Sequence, residues 1–366
     1  MTWAEWVDRE CDAIRLAGQW RACRELDAAG PEGVLTADRR RVVSFASNDY
    51  LGLTQHPAVI AAAHEAIDRW GAGSGAARLI VGSRPIHAEL EAELAAWKGA
   101  ARAVLFPTGF ATNLGVLTTF GGAGTLVCSD ELNHASIVDG CRLSRADVAV
   151  YRHRDVEHLE KLLADRAGRA VVVTDTVFSM DGDVAPIEEL AEVCARHAAL
   201  LVLDEAHAVL GPEPDLDGVD VLRVGTLSKT LGALGGFVAG PAPFIDLVVN
   251  RARSFIFTTA STPADAAAAR AALAVVRSAE GDELRTRLRR HVEALAPGHP
   301  SPIIPIVLGD EEAALDASAR LLEQGLLVPA IRPPTVAPGT SRLRVALSAA
   351  HTEEQVARLA RALAPS

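Results

Sequence analysis

Residues 200–208 read LLVLDEAHA, an apolar run that ends in Asp204 with His207 three positions further on. Two readings of that stretch lead to different folds. The string D-E-A-H marks a large class of nucleic-acid helicases, whose strand-end Asp works beside a phosphate loop of pattern G-x-x-x-x-G-K-[ST]. No such loop precedes Asp204. The nearest imitation, GTLSKT at 225–230, lies downstream and carries Ser228 where a glycine must precede the lysine. Without that glycine the backbone cannot wrap a phosphate chain in the same way. The net charge of -11, from 47 acidic against 36 basic residues, is also the wrong sign for a protein that follows a nucleic-acid backbone.

The alternative is a lysine enzyme. In a parallel α/β sheet, ligands collect beyond the carboxyl ends of the strands, where Asp204 stands. A carboxylate there keeps a pyridine nitrogen protonated, so that the ring draws electrons from a substrate carbanion. His207 is placed to reach a neighbouring ring oxygen. The next strand, DVLRVGT (220–226), runs into LSKTLGALGG (227–236) and presents Lys229 on a Gly-rich loop. A desolvated amine there forms a Schiff base with an aldehyde. Each residue alone has a plainer reading: Asp204 as a helix cap, His207 as a satisfied buried histidine, Lys229 as solvated surface. In this order and spacing the three together are specific.

The remainder of the chain supports an α/β architecture. Of its 366 residues 49% are apolar, enough for one large domain and a smaller one. An amphipathic helix is expected from about Trp3 to Ala28, then a break at Gly30 and Pro31 and a short strand at Val42–Phe45. Apolar strands are expected at Ala103–Phe106, Thr125–Cys128, Val148–Tyr151, Ala170–Thr174, Leu200–Leu203, Val221–Val224 and Gly236–Ala239. Helical patterns lie between most of them, among them Pro57–Trp70, Pro85–Trp97, Asp155–Ala164 and Pro186–His197, several opened by proline. That alternation predicts a mostly parallel sheet covered by helices. After about Pro241 longer helices lead to a strand-helix-strand-helix tail from Ile303. The predicted division is residues 1–45 as an N-terminal helix and strand, 46–250 as a large α/β domain, and 251–366 as a smaller α+β domain. Five scattered cysteines without a C-x-x-C pair read as reduced thiols, with no zinc or redox motif. The charged N-terminus lacks the apolar core of a signal peptide, and no apolar run approaches the roughly twenty residues of a membrane span. A soluble, cytoplasmic protein is expected.

Longer motifs narrow the chemistry. The chain carries SNDYLGL (47–53), GSGAARLIVGSRPIHAELEAELA (from 73), PTGFATN (107–113), NHAS (133–136), VFSMDGDVAPI (177–187), DEAH (204–207), TLSKTLG (226–232) and IRPPTVAPGTSRLRVALSAAHT (from 331). In that order they resemble the α-oxoamine synthase family of pyridoxal phosphate (PLP) enzymes, over nearly the whole chain. The resemblance implies fold type I, the aspartate aminotransferase-like arrangement, and decarboxylative condensation of an amino acid with an acyl thioester. It implies that Lys229 carries PLP, Asp204 pairs with the pyridinium nitrogen, and His134 stacks on the ring and contacts substrate. His207 and Ser179 would bond the ring-oxygen region, while Gly109, Phe110 and Thr226 would hold the phosphate. The family's active site lies at a homodimer interface, so Thr258 or Thr259 of FTTAST (257–262) would reach the partner subunit's phosphate; ordinary turn structure is the alternative for that pair.

Arg344 would pair with the amino-acid carboxylate through its forked guanidinium. Arg342 beside it is read as a surface charge. Thr335, and Arg21 on the N-terminal helix, match substrate-contacting positions, although an Arg on such a helix is also simply a solvated face. Within the family, IRPPTV favours the members that use L-alanine and a pimeloyl thioester over sister enzymes that use glycine or serine. Two departures stand out: the stretch after DEAH (208–224) is shorter and less Gly-rich than is usual, and a proline is moved to Pro338 in TVAPG.

Overall fold

The computed structural model describes residues 1–211, 214 and 216–364; part of the shortened stretch after DEAH therefore lies outside the described residues. The first helix, Trp3–Leu16, opens with a capping box: the Thr2 hydroxyl accepts the Glu5 amide at 3.2 Å and the Glu5 carboxylate accepts the Thr2 amide at 2.7 Å. It stops twelve residues short of the expected Ala28, because Gly18 takes left-handed backbone with φ +66° and the chain turns off the helix axis. Leu26–Ala28 is instead a strand, β1, paired antiparallel with β2 (Glu32–Leu35), which pairs with β3 (Arg41–Ser44). Arg21 lies past the helix in irregular, exposed chain, not on the helix as expected.

Seven further strands build the central sheet: β4 (Arg102–Phe106), β5 (Thr125–Asp130), β6 (Asp147–Tyr151), β7 (Arg169–Asp175), β8 (Leu200–Asp204), β9 (Val221–Thr226) and β10 (Gly236–Gly240). Their order is β4-β10-β9-β8-β7-β5-β6, with β10 antiparallel to both neighbours and the other pairings parallel. Val171, Val172, Val173, Leu201, Val202 and Leu203 are all at most 2% exposed, as strands covered by helices on both faces require. Because β10 alone runs backwards, the carboxyl ends of the other six strands share one edge. From β5 the chain steps outward to β6 on one side and then back to β7 on the other, so strand order reverses at β5, and ligands collect at such points.

The C-terminal part begins with an Ala-rich helix, Pro263–Val276, that packs on Pro57–Trp70. Ala266, Ala269 and Ala272 are buried, so the composition serves close helix approach as well as helix propensity. Beyond it β11 (Ile303–Gly309), β13 (Ala330–Ile331) and β14 (Ser341–Ala346) form an antiparallel sheet, while β12 (Leu326–Leu327) pairs in parallel with β3. The N-terminal strands thus join the C-terminal part through backbone hydrogen bonds. Among the described residues no helix is long and apolar enough to cross a membrane.

The loop after β9 is seated by Gly232, whose φ is +60° and whose missing Cβ would lie 2.7 Å from the Thr54 amide nitrogen. Gly232→Ala should therefore lower stability by roughly 1–3 kcal/mol in urea unfolding, since both the backbone and the neighbouring segment must yield.

Candidate active site

Two strand ends set the centre. Asp175 and Asp204 are paired neighbours at the tips of β7 and β8, and Thr226 ends β9. Three residues beyond Thr226 the loop returns Lys229, with Nζ 2.9 Å from His207 Nε2. The other ring nitrogen, Nδ1, lies 2.6 Å from Tyr50 Oη, contributed by SNDYLGL and fully buried. Burial pushes the Lys229 amine below its ordinary pKa, against the attraction of Asp204 and Asp175. Burial, together with the charges of Lys229 and Arg344, holds His207 well below the usual histidine range, so its ring is neutral.

Asp204 is fixed from both sides: Asn113 Nδ2 donates to Oδ2 at 2.7 Å and the Ala206 amide to Oδ1 at 3.0 Å. Asn113 also donates to Ser136 Oγ, which lies 2.7 Å from His134 Nδ1. His134 caps the helix Ala135–Ser144, and its own amide donates to Asp175 at 2.8 Å. His134 is exposed as a residue, yet desolvation lowers its pKa against the attraction of Asp204. Asp175 is pushed well above the usual carboxylate range by burial and by the negative charge of Asp204.

The start of the helix Gly109–Phe120 offers backbone amides that could hold an anion. Thr108 accepts the Ala111 amide on its hydroxyl and the Thr112 amide on its carbonyl, which leaves the Gly109 and Phe110 amides without an acceptor inside the helix. Thr226 Oγ1 lies beside them, 2.8 Å from Ser228 Oγ. Gly236, first residue of β10, makes this possible: a Cβ there would stand 2.6 Å from the Gly109 nitrogen.

Ser179 sits on the loop 177–183, which is clamped from two directions. Arg344 on β14 donates from Nε to the Ser179 carbonyl at 2.6 Å and from Nη2 to Asn48 Oδ1 at 3.1 Å. Arg342 is no surface charge: it is 6% exposed and ion-paired with Asp181. From the other side His153 bridges Asp130 at 3.0 Å and Asp183 at 2.8 Å. Among the described residues no hydrogen bond links Arg21, Thr335, Thr258 or Thr259 to this cluster. Thr335 is exposed in a turn with Arg332, and Thr259 bridges Ala77. Asn48, Tyr50, Asn113, Ser136 and Asp175 were not singled out from sequence. Four of them stand inside quoted motifs, and Asp175 obeys the same strand-end rule as Asp204.

The aminotransferase class I and II family model matches residues 40–363. The chain belongs to that family. It is 51% identical to the 8-amino-7-oxononanoate synthase of Anaeromyxobacter dehalogenans over 96% of this chain and 93% of the relative. It is 45% identical to that of Geobacter sulfurreducens over 97% and 96%. These relatives bear out the resemblance to α-oxoamine synthases. Among solved structures, serine palmitoyltransferase from S. paucimobilis superposes with a TM-score of 0.90 at 31% identity, covering 97% of this chain and 95% of that one. The 8-amino-7-oxononanoate synthase of Francisella tularensis, at 24% identity and a TM-score of 0.73 over 88% and 96% of the two chains, agrees in fold. The expected aspartate aminotransferase-like α/β fold is the fold observed.

His153 carries a pH signature. Burial alone would lower its pKa, but hydrogen bonds and charge from Asp130 and Asp183 raise it to about 9. A folded pKa above the unfolded value of about 6.5 means the contribution is complete below that pH and is lost as pH rises through about 9. Urea midpoints measured across that window should fall for the native chain, and His153→Gln should remove most of the fall.

Proposed function

We propose that this chain joins L-alanine to a pimeloyl thioester with loss of carbon dioxide, giving 8-amino-7-oxononanoate for biotin synthesis, as a PLP-dependent acyltransferase. The observation that carries this reading is the buried Lys229 amine, 2.9 Å from a neutral His207 at a strand edge lined by carboxylates, in a family of PLP chemistry. The donor set fits the cofactor. Asp204, an acceptor held by Asn113 and Ala206, suits a protonated ring nitrogen; the first-turn amides of Gly109 and Phe110, with Thr226, suit a phosphate. His207 and Ser179 would serve the ring oxygen, and His134 would lie against the ring.

Bound there, PLP supplies an electron sink for the α-carbon of the amino acid. Lys229 Nζ takes the α-proton, a task that its lowered pKa favours by leaving more of the amine neutral. Arg344 orients the substrate carboxylate. Two of its N–H groups are spent on Ser179 and Asn48, so the plane of the guanidinium is fixed before substrate arrives. His134 positions the thioester carbonyl. A carbon–carbon bond forms at the α-carbon as the thiol leaves, the carboxylate departs as carbon dioxide, and Lys229 returns a proton to the same carbon.

The homodimer belongs to the same proposal. Leu79, Ile80 and Val81 are 52%, 75% and 69% exposed, and Phe257 beside Thr258 is 70% exposed. A second copy would cover them and bring Thr258 or Thr259 to the neighbouring phosphate. Arg21 and Thr335 would contact the acyl chain in that assembly.

Purified protein mixed with PLP should develop a visible absorbance band that shifts with L-alanine more than with glycine or L-serine. Lys229→Ala should lose the band and turnover together; normal condensation by that variant would overturn the assignment. Arg344→Lys keeps the charge but not the fork, and kcat/KM for L-alanine should fall about 10- to 100-fold in a carbon dioxide release assay.

A further inference from the structure

The hydrogen-bond chain behind Lys229 fixes more than distances, because its members differ in what they donate. Arg344 has only N–H donors, so the Asn48 atom 3.1 Å from its Nη2 is the amide oxygen, and the orientation of that amide is set. Tyr50 Oη stands 3.1 Å from the same oxygen. An amide oxygen only accepts, and two oxygens 3.1 Å apart repel unless a hydrogen lies between them, so the network is satisfied throughout when the single phenolic proton points there. Tyr50 then offers a lone pair to His207 Nδ1, 2.6 Å away, and Nδ1 must carry the hydrogen. In a neutral ring that leaves Nε2 bare, 2.9 Å from Lys229 Nζ.

We propose that, before a cofactor binds, Asn48 and Tyr50 are positioning residues that hold His207 as the Nδ1–H tautomer, so that its Nε2 lone pair accepts one N–H of Lys229 and sets the rotation of the amine. The opposite tautomer would present Nε2–H and donate into the nitrogen lone pair of a neutral Lys229, occupying the electrons that must take a proton. Arg344 acts at the far end of the same chain. The residue expected to hold the substrate carboxylate therefore also decides, through Asn48, Tyr50 and His207, which way the amine faces. The consequence for turnover rests on the function proposed above; the tautomer does not.

The test is made first on apoprotein with nitrogen-15 in its histidines, using long-range nitrogen–proton spectra in which His207→Gln identifies the His207 signals. The native chain should show a protonated Nδ1 and a bare Nε2. Asn48→Leu frees the Tyr50 hydroxyl to turn and donate to Nδ1, and the tautomer should reverse. Asn48→Asp keeps an acceptor between Arg344 and Tyr50 and should retain the native pattern. The rate at which Lys229 forms its visible band with PLP should fall about tenfold in Asn48→Leu and stay within about twofold of native in Asn48→Asp. A native His207 protonated at Nε2, or an unchanged tautomer in a folded Asn48→Leu, would overturn the proposal. The native spectrum decides it even if a variant does not fold. If the native chain forms no band with PLP, the proposed function fails, while the apoprotein spectra still decide the tautomer.

Discussion

Burying the amine of Lys229 disfavours its charged form, while Asp204 and Asp175 favour it, and much of the surrounding structure follows from that opposition. A lysine left in water would stay charged at neutral pH and would be a poor base or nucleophile. A lysine buried without carboxylates would lose its charge altogether. The sheet supplies the intermediate case because β7 and β8 end in register on two aspartates and β9 ends beside them. Arg344 adds a second cation to the same volume, and His207 responds by staying neutral. With two carboxylates, a guanidinium and an amine so close, the charge state of each is set by the others more than by its own chemistry.

Such a site needs parts from three places held still. Tyr50 and Asn48 come from the N-terminal segment, Lys229 and Asp204 from the central sheet, and Arg344 from β14 in the C-terminal part. Hydrogen bonds in the loop 177–183 tie these together: Arg344 to the Ser179 carbonyl, Arg342 to Asp181, and His153 to Asp183. Gly182 permits the closeness, since with φ +70° its missing side chain would collide with the Ile303 carbonyl. The buried arginines are thus held to the carboxyl edge of the sheet by groups that share no secondary element with them. Pairing of β12 with β3 closes the circuit through backbone, joining the strand before Asn48 to the C-terminal sheet region.

How much of this was legible follows from where the signals are local. The strands of the central sheet read correctly to within a residue or two, because strands covered on both faces are short apolar runs bounded by turn residues. The N-terminal helix was overextended, because its helical pattern continues past Gly18 and only the backbone angle there ends it. Lys229, Asp204 and His207 were readable from one stretch of sequence. The partners that tune them were not: Asn113 and Asp204 are 91 residues apart, Tyr50 and His207 157. Nothing periodic in a chain announces which distant hydroxyl will meet a histidine. Arg342 shows the converse error, since a charged residue is ordinarily at the surface and its burial is explained by its pairing with Asp181 and its hydrogen bond to the Thr340 carbonyl.

The string D-E-A-H itself divides by side-chain direction. Asp204 and His207 reach the lysine side, while Glu205 between them is buried among cations, with Lys98 Nζ at 2.6 Å and Arg223 Nη1 at 2.6 Å. Those two charges hold its carboxyl below the usual range in spite of complete burial. Arg223 lies on β9, three residues before Thr226, and Lys98 follows the helix Pro85–Trp97 beside β4. Glu205 therefore ties the strand that leads to the lysine loop to the far edge of the sheet. Breaking a buried ion pair leaves an uncompensated charge, at a cost of about 3–5 kcal/mol, so the second letter of the motif is as constrained as its ends. The four residues resemble a helicase signature only as letters: here a strand ends, one carboxylate faces the lysine, and the next anchors the scaffold that holds it there.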